Sequence, residues 1–161
     1  DGVGDTKVIP TWNGGGTVKL IIIDSLFNKA SDTLIKSIQE AIDPLSDQGN
    51  GSGIAPVGHT VTVVTVRERE IKIKTEYKES FSWSRIGSEI NKTIEEYLLE
   101  MRRDWANQSH LSVRITQIEA RLLKLEGIVD ISETTINGST DNLILEPDEI
   151  PVLYSGGVEV I

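Results

Sequence analysis

The sequence predicts an α+β fold: two small strand-helix-strand units packed together, with mixed sheets and helices on one face. Three observations carry that prediction. Residues 18–23 are a β-branched, apolar run bounded by Gly16 and Asp24, the pattern of a buried strand. Residues 71–78 alternate Ile71, Ile73, Thr75 and Tyr77 with Lys72, Lys74, Glu76 and Lys78, a strand with one wet face. Each run is followed by apolar residues at helical spacing. The chain has 161 residues, 38% hydrophobic and 25% charged, which suits a folded core and not wholesale disorder.

Taken in order, residues 1–16 hold Gly2, Gly4, Pro10 and the run 14–16 of three glycines, and they read as a linker or lead-in. The triple glycine is not a phosphate loop. Such a loop follows a strand and opens a helix, whereas this one precedes a strand. The first unit, residues 17–68, opens with that strand and a polar turn over 24–29. Ser31 is placed to cap a helix with Asp32 in its first turn. Leu34, Ile35, Ile38, Ala41 and Ile42 form its apolar face, and Pro44 stops it. A glycine-punctuated loop spans 47–58. The strand that follows, 60–66, slips its alternation between Val63 and Val64, so a bulge or burial on both faces is expected. The two strands, if parallel, need a right-handed crossover.

The second unit, residues 69–161, has the order β-α-α-β-β. Its long helix is capped near Ser82 or Ser84 and carries Ile86, Ile90, Ile94, Tyr97, Leu98, Met101 and Trp105 as one stripe. Trp83, beside Phe81, reads as a hydrophobic staple. Ile115, Ile118, Leu122 and Leu125 mark a second helix that Gly127 would close in the left-handed conformation. Residues 128–136 return as a strand, and Asn137-Gly138 predicts a hairpin to a partner strand at 142–145. A last edge strand is expected at 158–161.

Composition excludes several function classes. With no cysteine there are no disulfides, thiolate nucleophiles or thiolate metal sites. The net charge of −9 has the wrong sign for phosphate neutralisation, so nucleic acid is not a partner. The aliphatic run 20–23 is too short for membrane insertion. No charged and apolar leader follows Asp1, and the chain reads as a downstream piece of a longer one. Asp24, Asp43, Asp47, Asp148 and Glu149 could do acid–base chemistry, but none sits in a recognisable catalytic arrangement, and Asp24 and Asp43 suit turn and helix closure. No catalytic residue is assigned. Asp47, Asn50 and Ser52 begin like a calcium loop, yet its twelfth position is Gly58, so no metal is expected. His59 and His110 read as ordinary polar residues.

Interfaces are the remaining candidates. Trp12 lies in the glycine-rich lead-in with no core to join, as an exposed anchor would. After Lys124 the chain carries eight acids and no base, −8 of the −9. Asp148 and Glu149, expected to be exposed between Pro147 and Pro151, mark the part of that stretch suited to docking a basic neighbour, the alternative being a solvated face.

The sequence resembles the C-terminal part of the baseplate J-like family over about residues 14–161. Gly16-Thr17-Val18-Lys19-Leu20-Ile21-Ile22-Ile23-Asp24 is similar to the family's glycine-led strand and polar turn. Ile54-Ala55-Pro56-Val57-Gly58-His59-Thr60-Val61-Thr62-Val63 resembles its Ala-Pro-Val-Gly loop and valine-rich strand, the most specific of the matches. Leu125-Glu126-Gly127-Ile128-Val129-Asp130-Ile131 resembles the turn after its last helix, and residues 142–153 resemble its ending. The extra glycines before the first strand and the polar connector 104–111 depart from it.

That resemblance implies a structural protein of contractile phage tails and related injection machines, with no enzyme activity and no cofactor. It implies a place in the virion tail baseplate, assembled in the bacterial host cytoplasm. The expected partners are neighbouring baseplate wedge proteins and copies of the chain itself in the ring. Since such contacts are shared among chains, the isolated piece is expected to be a monomer or weak oligomer. A rival reading is a small-molecule-binding regulatory domain acting at a subunit interface, with the loop 47–58 as its ligand lid.

Overall fold

The computed structural model describes residues 2–79 and 83–160. The chain divides into two compact units, Asp1–Arg67 and Glu68–Ile161, and its mixture of helices with parallel and antiparallel strands is α+β.

The first unit is one three-stranded sheet with a helix on it. Strands β1 (Val3–Pro10), β2 (Thr17–Asp24) and β3 (Thr60–Thr65) lie in that order, with helix α1 (Asp32–Ile42) between β2 and β3. β2 and β3 are parallel, Leu20 opposite Val63, so α1 is a crossover helix. Its start is the one the sequence specifies: Leu34 N donates to Ser31 Oγ at 3.2 Å, and Asp32 sits in the first turn. Leu34, Ile35, Ile38 and Ile42 pack on Ile22, Ala30, Ala55, Val61 and Val63, while Ala41 faces solvent. Asp24 Oδ1 accepts the amides of Leu26 (2.8 Å) and Asn28 (2.9 Å), which closes the turn into the crossover. On the sheet face opposite Leu20 and Ile22, Ile21 and Ile23 are also buried. The unbroken aliphatic run is therefore used on both sides of β2.

One expectation for this unit is corrected, and one pair of alternatives is narrowed. Residues 3–10 are not a lead-in: they form β1, antiparallel to β2 from Asp5–Ile23 to Pro10–Val18, with a register shift at Gly4. Only the tip 11–16 is a turn. A sheet edge tolerates the polar alternation and proline that make such a strand look like a linker. Of the two alternatives for the slip at Val63–Val64, a bulge against β2 is excluded, because the register runs unbroken from Thr17–Thr60 to Ile22–Thr65; Val63 is buried and Val64, on the other face, half-buried.

In the second unit, β4 (Arg67–Ile71, begun on the last residue of the first unit) leads into β5 (Ile73–Glu79), α2 (Trp83–Arg103) and a short 3-10 turn, Trp105–Asn107. Next come β6 (Ser112–Val113), α3 (Ile115–Leu122), β7 (Ile128–Ile136), β8 (Leu143–Ile144), β9 (Glu149–Leu153) and β10 (Glu159–Val160). One sheet has the order β10-β5-β7, and β4 pairs with β9 and β6 with β8. Along the β4–β5 stretch Ile71, Ile73 and Thr75 are buried and Lys72, Glu76 and Lys78 are exposed, as the alternation predicts. Ile86, Ile90, Ile94, Tyr97 and Leu98 are buried along α2, which packs on β9 and α3. Trp105 is fully buried too, but in the 3-10 turn after the helix, with Nε1 donating to Pro147 O at 3.1 Å. The cap at Ser82 and the residue Phe81 fall outside the described residues, as does the side chain of Trp83.

The expected hairpin is half right. Asn137 and Gly138 have φ of 52° and 81°, and the amides and carbonyls of Ile136 and Ser139 pair across them at 2.9 and 3.0 Å. The outgoing chain then leaves β7, and β8 pairs with β6 instead. β7 lies antiparallel to β5. Asn137 is held by the chain at the end of β4, just before β5: its Oδ1 accepts Lys72 N and its Nδ2 donates to Glu70 O. Gly127 has the left-handed φ of 99°, but α3 has already ended at Leu122.

Candidate interaction surfaces

In the first unit the chain between α1 and β3 is fixed by buried polar side chains. Asp43, 1% exposed, accepts Gly49 N on Oδ1 and Val61 N on Oδ2, both at 2.8 Å. Gln39, also buried, donates to Asp43 O and Val61 O and accepts Val63 N at 2.8 Å. Gln48 Nε2 adds a bond to Val61 O. Ile54 and Ala55 donate their amides to the last carbonyls of α1, those of Ala41 and Ile42. At Gly53 a Cβ would stand 2.4 Å from Ile42 O, so only glycine fits there. This is a stapled loop, not a hinged lid. Beside exposed polar residues it carries three large aliphatics: Leu45, Ile54 and Val57 are 65%, 79% and 75% exposed.

The sequence-predicted candidates lie elsewhere. Trp12, at the tip of the β1–β2 hairpin, is 39% exposed, with the ammonium of Lys19 held 4.0 Å from its ring centroid. Thr11, beside it, has a left-handed φ of 52°. Asp148 and Glu149 are half-buried, contrary to the expected exposure. Glu149 begins β9 and folds back, its Oε2 accepting Glu146 N at 3.0 Å. The acidic stretch is not a single continuous face either. Glu159 pairs with Lys74 at 3.2 Å, and Asp130 reaches Lys78 at 3.9 Å, so β5 lysines absorb part of it.

An open groove of the second unit collects Lys72, Lys74, Asn137, Tyr154 and Glu159. Lys72 lies 4.7 Å over the Tyr154 ring, and Lys74 is paired with Glu159, so these groups answer one another. His59 is exposed, and His110 Nδ1 lies 3.2 Å from Leu145 O. Asp47 Oδ1 takes the Asn50 amide at 2.6 Å, which occupies the incomplete calcium motif. Among the described residues no group of three His, Asp or Glu side chains could hold a metal. Chelation should therefore leave the thermal midpoint unchanged; a reproducible shift of several degrees with EDTA would count against this reading. Asp104 is held below the ordinary carboxylate range by donors from Asn107 and Gln108 on the surface.

Sequence reasoning passed over Leu45, Ile54 and Val57 as loop residues. Two large aliphatics, Ile54 and Val57, among four glycines and a proline at 49–58, with Leu45 just upstream, were the available signal, since a flexible linker has no use for them.

Comparison with known proteins gives these surfaces a context. A family model described as Baseplate J-like central domain matches residues 1–65, and one described as Baseplate J-like protein C-terminal domain matches residues 70–161. The phage-like element PBSX protein XkdT of Bacillus subtilis (strain 168) is 35% identical over all 161 residues, as is the uncharacterized protein YqbT of the same strain. The chain spans 44% of the length of either relative. Its fold is also similar to a chain in the cryo-EM structure of the anti-feeding prophage (AFP) baseplate, 6-fold symmetrised. There the TM-score is 0.55 at 9% identity, covering 84% of this chain and 29% of that one. Matched in order by both domains over nearly its whole length, the chain belongs to the baseplate J-like family.

Proposed function

We propose that the chain is a structural, non-enzymatic component of a contractile-tail baseplate, phage or phage-like, in contact with copies of itself and neighbouring baseplate proteins. The carrying observation is the ordered match of the central and C-terminal family domains to residues 1–65 and 70–161. The fold likeness to a chain of a prophage baseplate agrees with it. Two exposed features support a role in contacts: the Trp12–Lys19 stack and the aliphatic residues Leu45, Ile54 and Val57 around the stapled loop. Its place is the tail baseplate, with assembly in the host cytoplasm.

Two measurements test this. Antibody raised against the chain should label the distal end of tail particles in electron micrographs; label confined to heads or sheath, or none, would overturn the role. Trp12→Ala in the full-length protein should lower the count of complete baseplates severalfold, while the circular dichroism of the isolated chain stays unchanged. Normal particle numbers would reduce Trp12 to solvated surface.

A further inference from the structure

The two edges of the first unit's sheet are treated in opposite ways. At the β3 edge the outward amides of Val61 and Val63 and the carbonyl of Val61 are taken by Asp43, Gln39 and Gln48. A strand adding there would have to displace these side chains. At the β1 edge, among the described residues, β2 is the only neighbouring strand. The bond from Thr11 N to Thr17 O, 2.7 Å, sets the phase of this antiparallel pair. Asp5, Lys7 and Ile9 fall in its hydrogen-bonded pairs with β2, and the backbone groups of Thr6 and Val8 point outward. Thr6 N meets only the carboxylate of its own neighbour, Asp5 Oδ1 at 2.8 Å. The Val8 side chain is 61% exposed. The six residues Asp5–Pro10, in unbroken register with β2, make an edge that is a template for another strand. The edges of the second unit are poorer templates: β10 has two residues, and β7 is broken by register shifts.

We propose that this edge pairs with the β1 edge of a second copy of the chain, antiparallel about a two-fold axis, with Thr6 opposite Thr6. The choice of occupant rests on charge. Outward residues must face outward residues, so the register can move only in steps that keep Thr6 and Val8 against even-numbered partners. With Thr6 opposite Thr6, Asp5 stands across from Lys7 of the second copy, and Lys7 across from its Asp5. Both pairs are of the close, non-hydrogen-bonded kind. Val8 then meets Gly4, which leaves it room. One step in either direction sets Lys7 against Lys7 or Asp5 against Asp5, like charges facing each other. Charge therefore favours the Thr6–Thr6 register over both of its neighbours. The inference rests on the proposed role in assemblies containing several copies, but its test is separate from that role.

The chain contains no cysteine, which makes single-cysteine cross-linking clean. Paired positions in such a ladder fall within disulfide reach. The 161-residue chain carrying Thr6→Cys, oxidised near millimolar concentration, should form disulfide dimer far above a Ser37→Cys control on the exposed face of α1. Lys7→Cys should form less than Thr6→Cys. Adding Asp5→Lys to Thr6→Cys should lower dimer formation roughly tenfold, and adding Lys7→Asp as well should restore it, because the swapped pair is again complementary. Dimer no greater than the control, a preference for Lys7→Cys, or indifference to the charge swap would each overturn the proposal. None of these results bears on where the antibody labels the tail.

Discussion

Asp43→Ala is expected to destabilise the first unit by about 3 kcal/mol, with two buried amides, those of Gly49 and Val61, left without an acceptor. The carboxylate is 1% exposed, so water cannot replace it readily. Each orphaned donor costs roughly 1–3 kcal/mol, partly relieved by relaxation of the loop. Asp43→Asn should cost less, because one oxygen remains for one of the amides. Urea unfolding with hydrogen exchange read at β3 measures both variants. A loss under about 1 kcal/mol for alanine would show that the loop is held by its glycines and by the bonds to Ala41 and Ile42, and not by this carboxylate. If the staple reading is right, the same variant should also raise exchange at Ile54 and Ala55, whose amides reach the end of α1.

Asp43 also shows where sequence reading stops. Polar residues at a helix end are ordinarily read as solvated or as closing the turn, and nothing in the periodicity of α1 marks Gln39 and Asp43 as buried. Their burial depends on β3 arriving alongside with two outward amides, which is a tertiary fact. The elements that were legible are those whose signal is local: the aliphatic run of β2, the Ser31 cap, the alternation through residues 71–78 and the α2 stripe. β1 was hidden because its stabilisation comes from β2, while its own residues, with Gly4 and Pro10, look like linker. The Asn137-Gly138 turn was readable and its strand partner was not. The turn is fixed by two φ angles, whereas β8 is claimed by β6, about thirty residues upstream. As for the candidate surfaces, Trp12 could be singled out because a large aromatic among glycines has no core within reach. Glu149 could not be placed, because its carboxylate turns back onto Glu146 N.

Trp105→Ala, which removes the largest fully buried side chain among the described residues, should cost about 4 kcal/mol. The indole is fully buried and contributes both volume and a bond, Nε1 to Pro147 O at 3.1 Å. Truncation leaves a cavity too large for neighbours to close, and it removes the donor to Pro147 O in the approach to β9, whose Ile150 is itself fully buried. Trp105→Phe separates the two contributions. It keeps most of the apolar contact and loses the donor, so its cost should be about 1–2 kcal/mol. Thermal unfolding, with near-ultraviolet circular dichroism as the packing signal, distinguishes the outcomes. Equal losses for alanine and phenylalanine would mean that the hydrogen bond, and not the filled volume, holds the 3-10 turn after α2. A small loss for both would mean that the turn is an appendage of the helix and that the stripe ends at Leu98. The expected order, alanine well below phenylalanine and phenylalanine slightly below the parent, makes Trp105 the residue that ties the end of α2 to the approach of β9.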